Sequence, residues 1–244
     1  MKDLLKWEFK NLLRSKAFWG MGIAFLVCTF LFLLIPLHNG DHTGYEMYLE
    51  NLNNFNSLML FLTGIFAGIH VTGAFEERKI QAAVMAGNSR FSILLAKAAS
   101  FAAAMTAYFI TSVGITSVIG FAATEAGEMD GTFLSAVIIR ALVFMLVEIS
   151  YSSICILISM LIKNLGGAIA VNLITLLSVY CFGEVLLGLE WGAKILQFTP
   201  CGQLFYMFMD VSAKNMMIAL AVSVIGFAAV LGLSYLKFSR EELK

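Results

Sequence analysis

Charged residues that could pair with a partner protein gather in one short segment of this chain. The segment covers residues 76–97, which read EERKIQAAVMAGNSRFSILLAK, and it lies between two long apolar runs. Its periodicity predicts a short amphipathic helix. Carboxylates at the start of a helix stabilise its N-terminus and also meet cations on a partner, which makes Glu76 and Glu77 candidate contact residues. The basic candidates in the same segment are Arg78, Lys79 and Arg90. Simple capping of a helix at a membrane edge is the alternative explanation of the two carboxylates.

A second group of candidates consists of ionisable residues within apolar runs. Glu148 lies deep in such a run, and an intramembrane acid is a functional candidate by default because burial of its charge is costly. Ser178 on the following run is its candidate hydrogen-bond partner. Two explanations stay open: Glu148 lines a polar substrate cavity, or it is a protonated, hydrogen-bonded packing residue. Arg140 and Glu184 lie at one level near the far ends of the same two runs, which allows an ion pair between them.

Sequence patterns of known catalytic and nucleotide sites are missing. No GxxxxGK[ST], HExxH or GxSxG pattern occurs, so we expect no P-loop, no hydrolytic centre and no enzyme activity of this chain alone. His38, Asp41 and His42 are metal-ligating types, but such residues without a supporting second shell are typical of a solvated loop. We therefore expect no metal and no cofactor to be bound by this chain.

The elements that position these residues follow from composition. Of the 244 residues, 60% are hydrophobic and 13% are charged, which is more apolar surface than one soluble core buries. The chain is therefore predicted to be an all-α integral membrane protein with a single transmembrane domain over 1–244. Crossing a hydrocarbon core of ~30 Å takes about 20 helical residues. Six runs are long enough, and the predicted spans are 17–37, 57–75, 98–124, 133–162, 168–187 and 216–236.

The distribution of basic residues sets the predicted orientation. Of the 16 Lys and Arg residues, 13 fall on one side of the six spans, and the positive-inside rule makes that side the cytoplasm. Both termini and the 76–97 segment are then cytoplasmic in a multi-pass cell-membrane protein. The loops 38–56 and 125–130 hold acids but no Lys or Arg, and are predicted to lie outside. The net charge of zero gives no reason to expect nucleic-acid binding.

Three further segments concern packing and the membrane surface. Residues 1–16 carry five basic residues beside an apolar face, which predicts an interfacial helix on anionic membrane lipid. Two roles stay open for it: a basic anchor that orients the first span, or an element that transmits force. Gly64 and Gly68 form a GxxxG pattern, whose flat face admits close packing of a helix from the same chain or from a second copy. Residues 188–215 are too apolar for a free loop and too interrupted to cross, so two short re-entrant helices are predicted between spans five and six.

Taken in order, these elements resemble the permease subunits of ABC type-2 transporters over essentially the whole chain. Three stretches carry the resemblance beside the N-terminal helix and the six spans: FEERKIQAAVMAGNSRFSILLAK between spans two and three, ISMLIKNLGGAIAV between spans four and five, and LQFTPCGQLFYM before span six. Glu76, Arg90 and Lys97 match the family's most specific pattern. The chain departs from that pattern at Lys79-Ile80-Gln81, where Gly-Thr is common, and at Asn88, where Pro is common.

The resemblance implies a half-transporter. Two permease copies, as a homodimer, would form the membrane body, and two copies of a separate ABC ATPase subunit would bind ATP and Mg²⁺ below them. The 76–97 segment would include the coupling helix on which each ATPase pushes. The implied activity is export of an amphipathic or hydrophobic substrate, with a peptide favoured over a drug or a lipid. A non-transporting membrane scaffold, sensor partner or channel is the alternative.

Overall fold

The computed structural model describes residues 2–39, 43–123, 131–209 and 212–240, and every regular element in these ranges is helical. Two π-helical turns, Gly68–Thr72 and Ile110–Gly114, each join two α-helices into a longer rod. The all-helical fold is thus confirmed. The α-helices are α1 (Lys2–Arg14), α2 (Lys16–Asn39), α3 (Gly44–Ala67), α4 (Gly73–Glu76), α5 (Lys79–Met85), α6 (Arg90–Phe109), α7 (Ile115–Ala123), α8 (Gly131–Ser152), α9 (Ile154–Leu161), α10 (Leu165–Leu187), α11 (Glu190–Leu196), α12 (Pro200–Met209) and α13 (Ala213–Ser239).

Length and hydropathy identify the segments suited to crossing a membrane. In the described part of the chain, five helical segments are long and apolar enough: Lys16–Ile35, Arg90–Ala123, Ser135–Leu161, Leu165–Leu187 and Ala213–Ser239. A sixth exists if the bent pair Gly44–Met59 and Phe61–Glu76, which meet at 43°, forms one span. The protein therefore has five to six helices of the kind that a multi-pass membrane protein needs.

The helix that leads into the second predicted span begins much earlier than the sequence suggests. The prediction of a loop over 38–56 is wrong for most of that range, because α3 starts at Gly44. Thr43 and Glu46 form a capping box: the Glu46 carboxylate accepts a bond from the Thr43 N–H at 2.8 Å, and the Thr43 hydroxyl accepts one from the Glu46 N–H. Asn51 and Asn56 are buried among the helices. Polar residues that hydropathy assigns to a loop therefore face the interior here.

Residues 76–97, called the connecting segment below, hold less separate helix than predicted. α4 ends at Glu76 and the free-standing α5 has only seven residues. Arg78, between them, has φ 56°, a left-handed conformation that costs a non-glycine residue roughly 1 kcal/mol. Gly87 makes the second turn at φ 85°, where glycine meets no such penalty. From Arg90 onward the segment already belongs to α6, so that helix starts well before residue 98.

An aromatic stack joins α2, α3 and α6. Phe25 of α2 stacks on Tyr108 of α6 with ring centroids 5.2 Å apart, and on Phe55 of α3 at 5.3 Å. Phe66 of α3 meets the Tyr108 ring edge-on at 5.7 Å. Each such pair contributes ~0.5–1.5 kcal/mol beyond the area it buries. α3, α6 and α8 are much more enclosed than α2, α10 and α13, which leave most of their apolar surface exposed.

The GxxxG face of α3 packs against α10 of the same chain. A Cβ atom added at Gly64 would lie 3.3 Å from Asn172 and Leu173, and one added at Gly68 would lie 2.6 Å from the Ile169 side chain. The Asn172 amide also donates to the Gly64 carbonyl at 3.1 Å. Of the two neighbours considered from the sequence, the structure places the helix of the same chain here.

Replacing Gly68 by leucine is expected to lower thermal stability, because the added side chain has no room beside Ile169. Overpacking of this kind costs ~1–3 kcal/mol. The measurement is the temperature at which half of the detergent-solubilised protein leaves its monodisperse peak. Gly20→Leu is the matched control, since nothing lies within 4 Å of a Cβ at that helical glycine. Equal loss in both variants would contradict the packing assigned to Gly68.

Two short helices connect α10 to α13, as the interrupted apolar pattern predicts. α11 and α12 cover 190–196 and 200–209, and α12 packs against α8 and α13. Gly202 lies so close to the Leu196 carbonyl that a Cβ atom would overlap that oxygen. Cys201 and Leu204 are buried in this region. Insertion of the two helices into a membrane leaflet stays a prediction.

Candidate functional site

The connecting segment is bonded at its start to the corner between α9 and α10. The Glu76 carboxylate accepts a bond from the backbone N–H of Leu165, the first residue of α10, at 2.8 Å. A carboxylate at this place complements the partial positive charge of a helix N-terminus. One turn earlier, the Thr72 hydroxyl donates to the Ser159 carbonyl at 2.9 Å, near the end of α9. Displacement of Glu76 therefore acts directly on the start of α10.

Arg90, the first residue of α6, bonds the connecting segment to the end of α13. The Arg90 guanidinium donates to the carbonyls of Phe238 at 2.7 Å and Ser239 at 2.9 Å, the last two residues of that helix. It also lies 5.7 Å from the centroid of the Phe238 ring. A cation at a helix C-terminus neutralises the partial negative charge of its free carbonyls. One segment thus caps the N-terminus of α10 through Glu76 and the C-terminus of α13 through Arg90.

Between Glu76 and Arg90, most residues of the connecting segment are exposed or only partly buried. Glu77, Arg78 and Lys79 all face outward, and Glu77 and Lys79 form an ion pair with each other. Such an exposed pair contributes little to stability. Met85, the last residue of α5, is 82% exposed, although Ile80 of the same helix is buried. The exposed middle of the connecting segment therefore offers both charge and an apolar side chain to a partner.

α1 lies beside α5 and shares a groove with it. The groove has a volume of about 370 Å³. Its walls come from the first two turns of α1 and from one side of α5, and are formed by Asp3, Leu4, Trp7, Lys79, Ala82, Ala83, Ala86 and Asn88. Trp7 is exposed at this place. The candidate contact surface thus includes α1, which the sequence pattern assigns to the membrane interface.

A buried ion pair that was not predicted from the sequence holds α1 to α6. The Glu8 carboxylate lies 2.9 Å from the Lys97 ammonium, and the two residues are 1% and 4% exposed. Lys97 also donates to the His70 carbonyl at 3.4 Å. A signal was present in the sequence: Leu4, Glu8 and Leu12 recur every four residues, so an acid stands in the middle of the apolar face of α1.

His70 belongs to the same inner cluster but has the geometry of a packing residue. Its ring stacks on Phe66 with centroids 5.4 Å apart, and its Nε2 lies 2.8 Å from the Ser100 hydroxyl. No group of three or more metal-ligating side chains is found among the residues that the structure describes. Two of the metal-ligating types noted in the sequence, Asp41 and His42, lie outside those residues.

Arg140 and Glu184 are not brought together. Arg140 is 2% exposed and donates to the Tyr45 hydroxyl at 2.9 Å and to the Met207 carbonyl. Glu184 is exposed on the surface of α10. The spacing along the two helices places Arg140 and Glu184 at the same depth, but it does not place them on facing sides. Arg140 points inward, towards α3 and α12. Among the residues that the structure describes, its hydrogen-bond partners are a phenol and a backbone carbonyl.

Glu148 is buried without a hydrogen-bond partner among the described residues. It is 1% exposed, and neither carboxyl oxygen accepts or donates a bond. Ser178 is only half-buried and makes no bond to it. The groups in electrostatic range are Tyr151, Tyr180 and Cys201. A buried polar group without a partner costs ~1–3 kcal/mol, which keeps Glu148 a candidate for a functional role.

Comparison with known proteins adds no relative. No protein-family model matches the chain, and no curated protein is significantly similar to it. The function must therefore be inferred from the geometry of the connecting segment, α1 and the buried acids.

Proposed function

We propose that this chain is the permease subunit of an ATP-driven ABC exporter. The observation that carries the proposal is the connecting segment, whose exposed middle is joined at Glu76 to the start of α10 and at Arg90 to the end of α13. A force applied to the exposed part reaches two long helices through charged contacts of 2.7–2.8 Å. This is the arrangement that a membrane protein without its own ATPase needs in order to receive mechanical input.

The partner in this proposal is an ABC ATPase subunit, present in two copies and carrying the ATP and Mg²⁺. It would bind the exposed charges of the connecting segment, Glu77, Arg78 and Lys79, in the cytoplasm. Charge complementarity governs the specificity and association rate of such contacts. The permease itself hydrolyses nothing, in keeping with the missing nucleotide and hydrolase patterns.

A second permease copy completes the membrane body. α2, α10 and α13 leave most of their apolar surface exposed, which suits contact with lipid and with a second copy. We propose a homodimer with both termini in the cytoplasm. α11 and α12 would dip into the outer leaflet as re-entrant helices, because both are too short to cross and because they expose the large apolar side chains of Trp191, Ile195 and Met209.

The proposed cargo is amphipathic or hydrophobic, with a peptide favoured. The described part of the chain holds few buried charges in its long helices, and Glu148 alone of these has a carboxylate with no bond. A transport path of mostly apolar side chains with one acid would suit a substrate that has an apolar body and a cationic or amide group.

The proposal is tested by identifying the proteins that copurify with this chain from its native membrane. Gentle solubilisation, purification of the permease and mass spectrometry should recover a stoichiometric subunit with a Walker motif. Lys194→Glu changes an exposed charge on α11, outside the connecting segment, and should retain that subunit. It is the control for variants that change charges within the segment. If repeated purifications in several detergents recover no ATPase, the exporter proposal fails and a scaffold or channel replaces it.

A further inference from the structure

The apolar face of α1 contains one acid at its centre. Leu4, Glu8 and Leu12 are all buried, and they follow one another at four-residue spacing on one side of the helix. An amphipathic helix that only lies on lipid gains nothing from an acid in the middle of its apolar face. Glu8 therefore indicates that this face of α1 meets protein, and that a cation is there to receive it.

The cation is Lys97, and it connects three elements. Its ammonium lies 2.9 Å from Glu8 of α1, and it donates to the carbonyl of His70 at 3.4 Å. His70 lies in the π-helical turn that leads into the connecting segment, whereas Lys97 closes that segment within α6. One buried side chain thus joins α1 to both ends of the loop on which a partner would act.

A buried ion pair differs from an apolar contact in what it determines. Apolar surfaces such as Leu4 and Leu12 slide and rotate at low cost, but a paired charge has one acceptable register, because any other leaves it buried alone. The register set by Glu8 is the one that places Asp3 and Trp7 beside Ala82 and Ala86, as the walls of the shared groove. The orientation of α1 against α5 depends on this pair.

We infer that Glu8 and Lys97 are positioning residues that lock α1 beside the connecting segment, which makes α1 a second wall of the surface that the ATPase meets. The docking of α1 stands on the geometry of the pair alone. Its part in partner binding rests on the proposed function.

The experiment measures both consequences separately. Genetically encoded spin labels at Lys6 of α1 and Met85 of α5, both exposed, report the distance between the two helices in the full-length protein. In the same preparations, the amount of copurified ATPase subunit reports partner binding. The variants are Glu8→Gln, Lys97→Met and the exchange Glu8→Lys with Lys97→Glu. Lys10→Gln is the matched control, because it removes an exposed charge from the same helix.

The protein that carries only the two labels, and its Lys10→Gln variant, should each give one narrow distribution of the distance between the labels. We expect each single variant to broaden it and to lower the copurified ATPase at least ten-fold, and the charge exchange to restore both. An unchanged distribution in Glu8→Gln, or an exchange that restores nothing, overturns the inference. If a single variant fails to fold, recovery of folded protein by the exchange decides the same question.

Failure of the proposed function looks different. If the unchanged protein copurifies no ATPase, the exporter proposal is lost, whereas the label distances still decide whether the pair positions α1. If the ATPase is present and stays bound while α1 is released, α1 is docked by the pair but is no part of the binding surface, which overturns that half of the inference.

Discussion

Charge reversal at Glu77 is expected to abolish ATP-driven activity and to leave the protein folded. Glu77 is exposed and pairs with the exposed Lys79, so Glu77→Lys removes almost nothing from the stability of the chain. On the proposed contact surface, the same change places a cation against cations of the ATPase. Like charges facing each other across an interface cost several kcal/mol, and ~1.4 kcal/mol already weakens binding ten-fold.

Two readouts check this expectation. The ATPase subunit retained on the purified permease should fall at least ten-fold, whereas the thermal midpoint should stay unchanged. A reversed residue on the ATPase that restores binding would identify the facing cation. Glu190→Lys, an exposed acid on α11, is the control and should retain full binding. Full ATPase retention in Glu77→Lys would contradict the contact assigned to the connecting segment.

Glu76, its neighbour, should behave differently because its carboxylate has a structural partner. Glu76→Lys places an ammonium against the N-terminus of α10, where Leu165 now donates to a carboxylate. Loss of such a cap costs ~0.5–2 kcal/mol, so this variant should lose both thermal stability and copurified ATPase. The two acids are adjacent in the sequence, but the structure separates their roles.

The spans were predictable because the membrane requirement is local. About 20 apolar residues in a row identify a crossing helix without any knowledge of its neighbours, and α2, α10 and α13 follow that rule closely. The rule fails at α3, because it assigns polar residues to exposed loops, whereas Asn51 and Asn56 are polar and buried. Thr43 and Glu46, which have the spacing of a capping box, mark the true start of that helix.

The sequence draws attention to the charges of the connecting segment but not to the contacts that they make within the chain. Glu76 and Arg90 stand out as charges in the one long loop, yet their partners Leu165 and Phe238 lie 89 and 148 residues away. No periodicity encodes such distant pairings, and both partners contribute only backbone atoms to these bonds, which leave no trace in residue type. Glu8 was within reach, since an acid at apolar spacing on an amphipathic helix requires a buried partner.

Replacing Glu148 by leucine is expected to make the protein more stable and less active. Both carboxyl oxygens are buried and have no bond to any residue in the described ranges, and a buried polar group in that state costs ~1–3 kcal/mol. Leucine removes that cost and adds roughly the volume of one methylene group. For a chain of this size ~1 kcal/mol moves the thermal midpoint by ~2–4 °C. The midpoint of Glu148→Leu should therefore rise by at least ~2 °C.

Activity should move in the opposite direction if the acid receives the substrate. In the reconstituted complex, ATP hydrolysis stimulated by a panel of amphipathic peptides should fall at least ten-fold in Glu148→Leu, whereas basal hydrolysis stays. Ser178→Ala is the matched control on α10, since Ser178 makes no bond to Glu148, and it should change neither property. A variant that is less stable and equally active would show Glu148 to be a packing residue with a partner. An unpaired acid in an apolar interior costs stability, so a gain of stability with a loss of stimulation in Glu148→Leu is the result expected if the acid serves function.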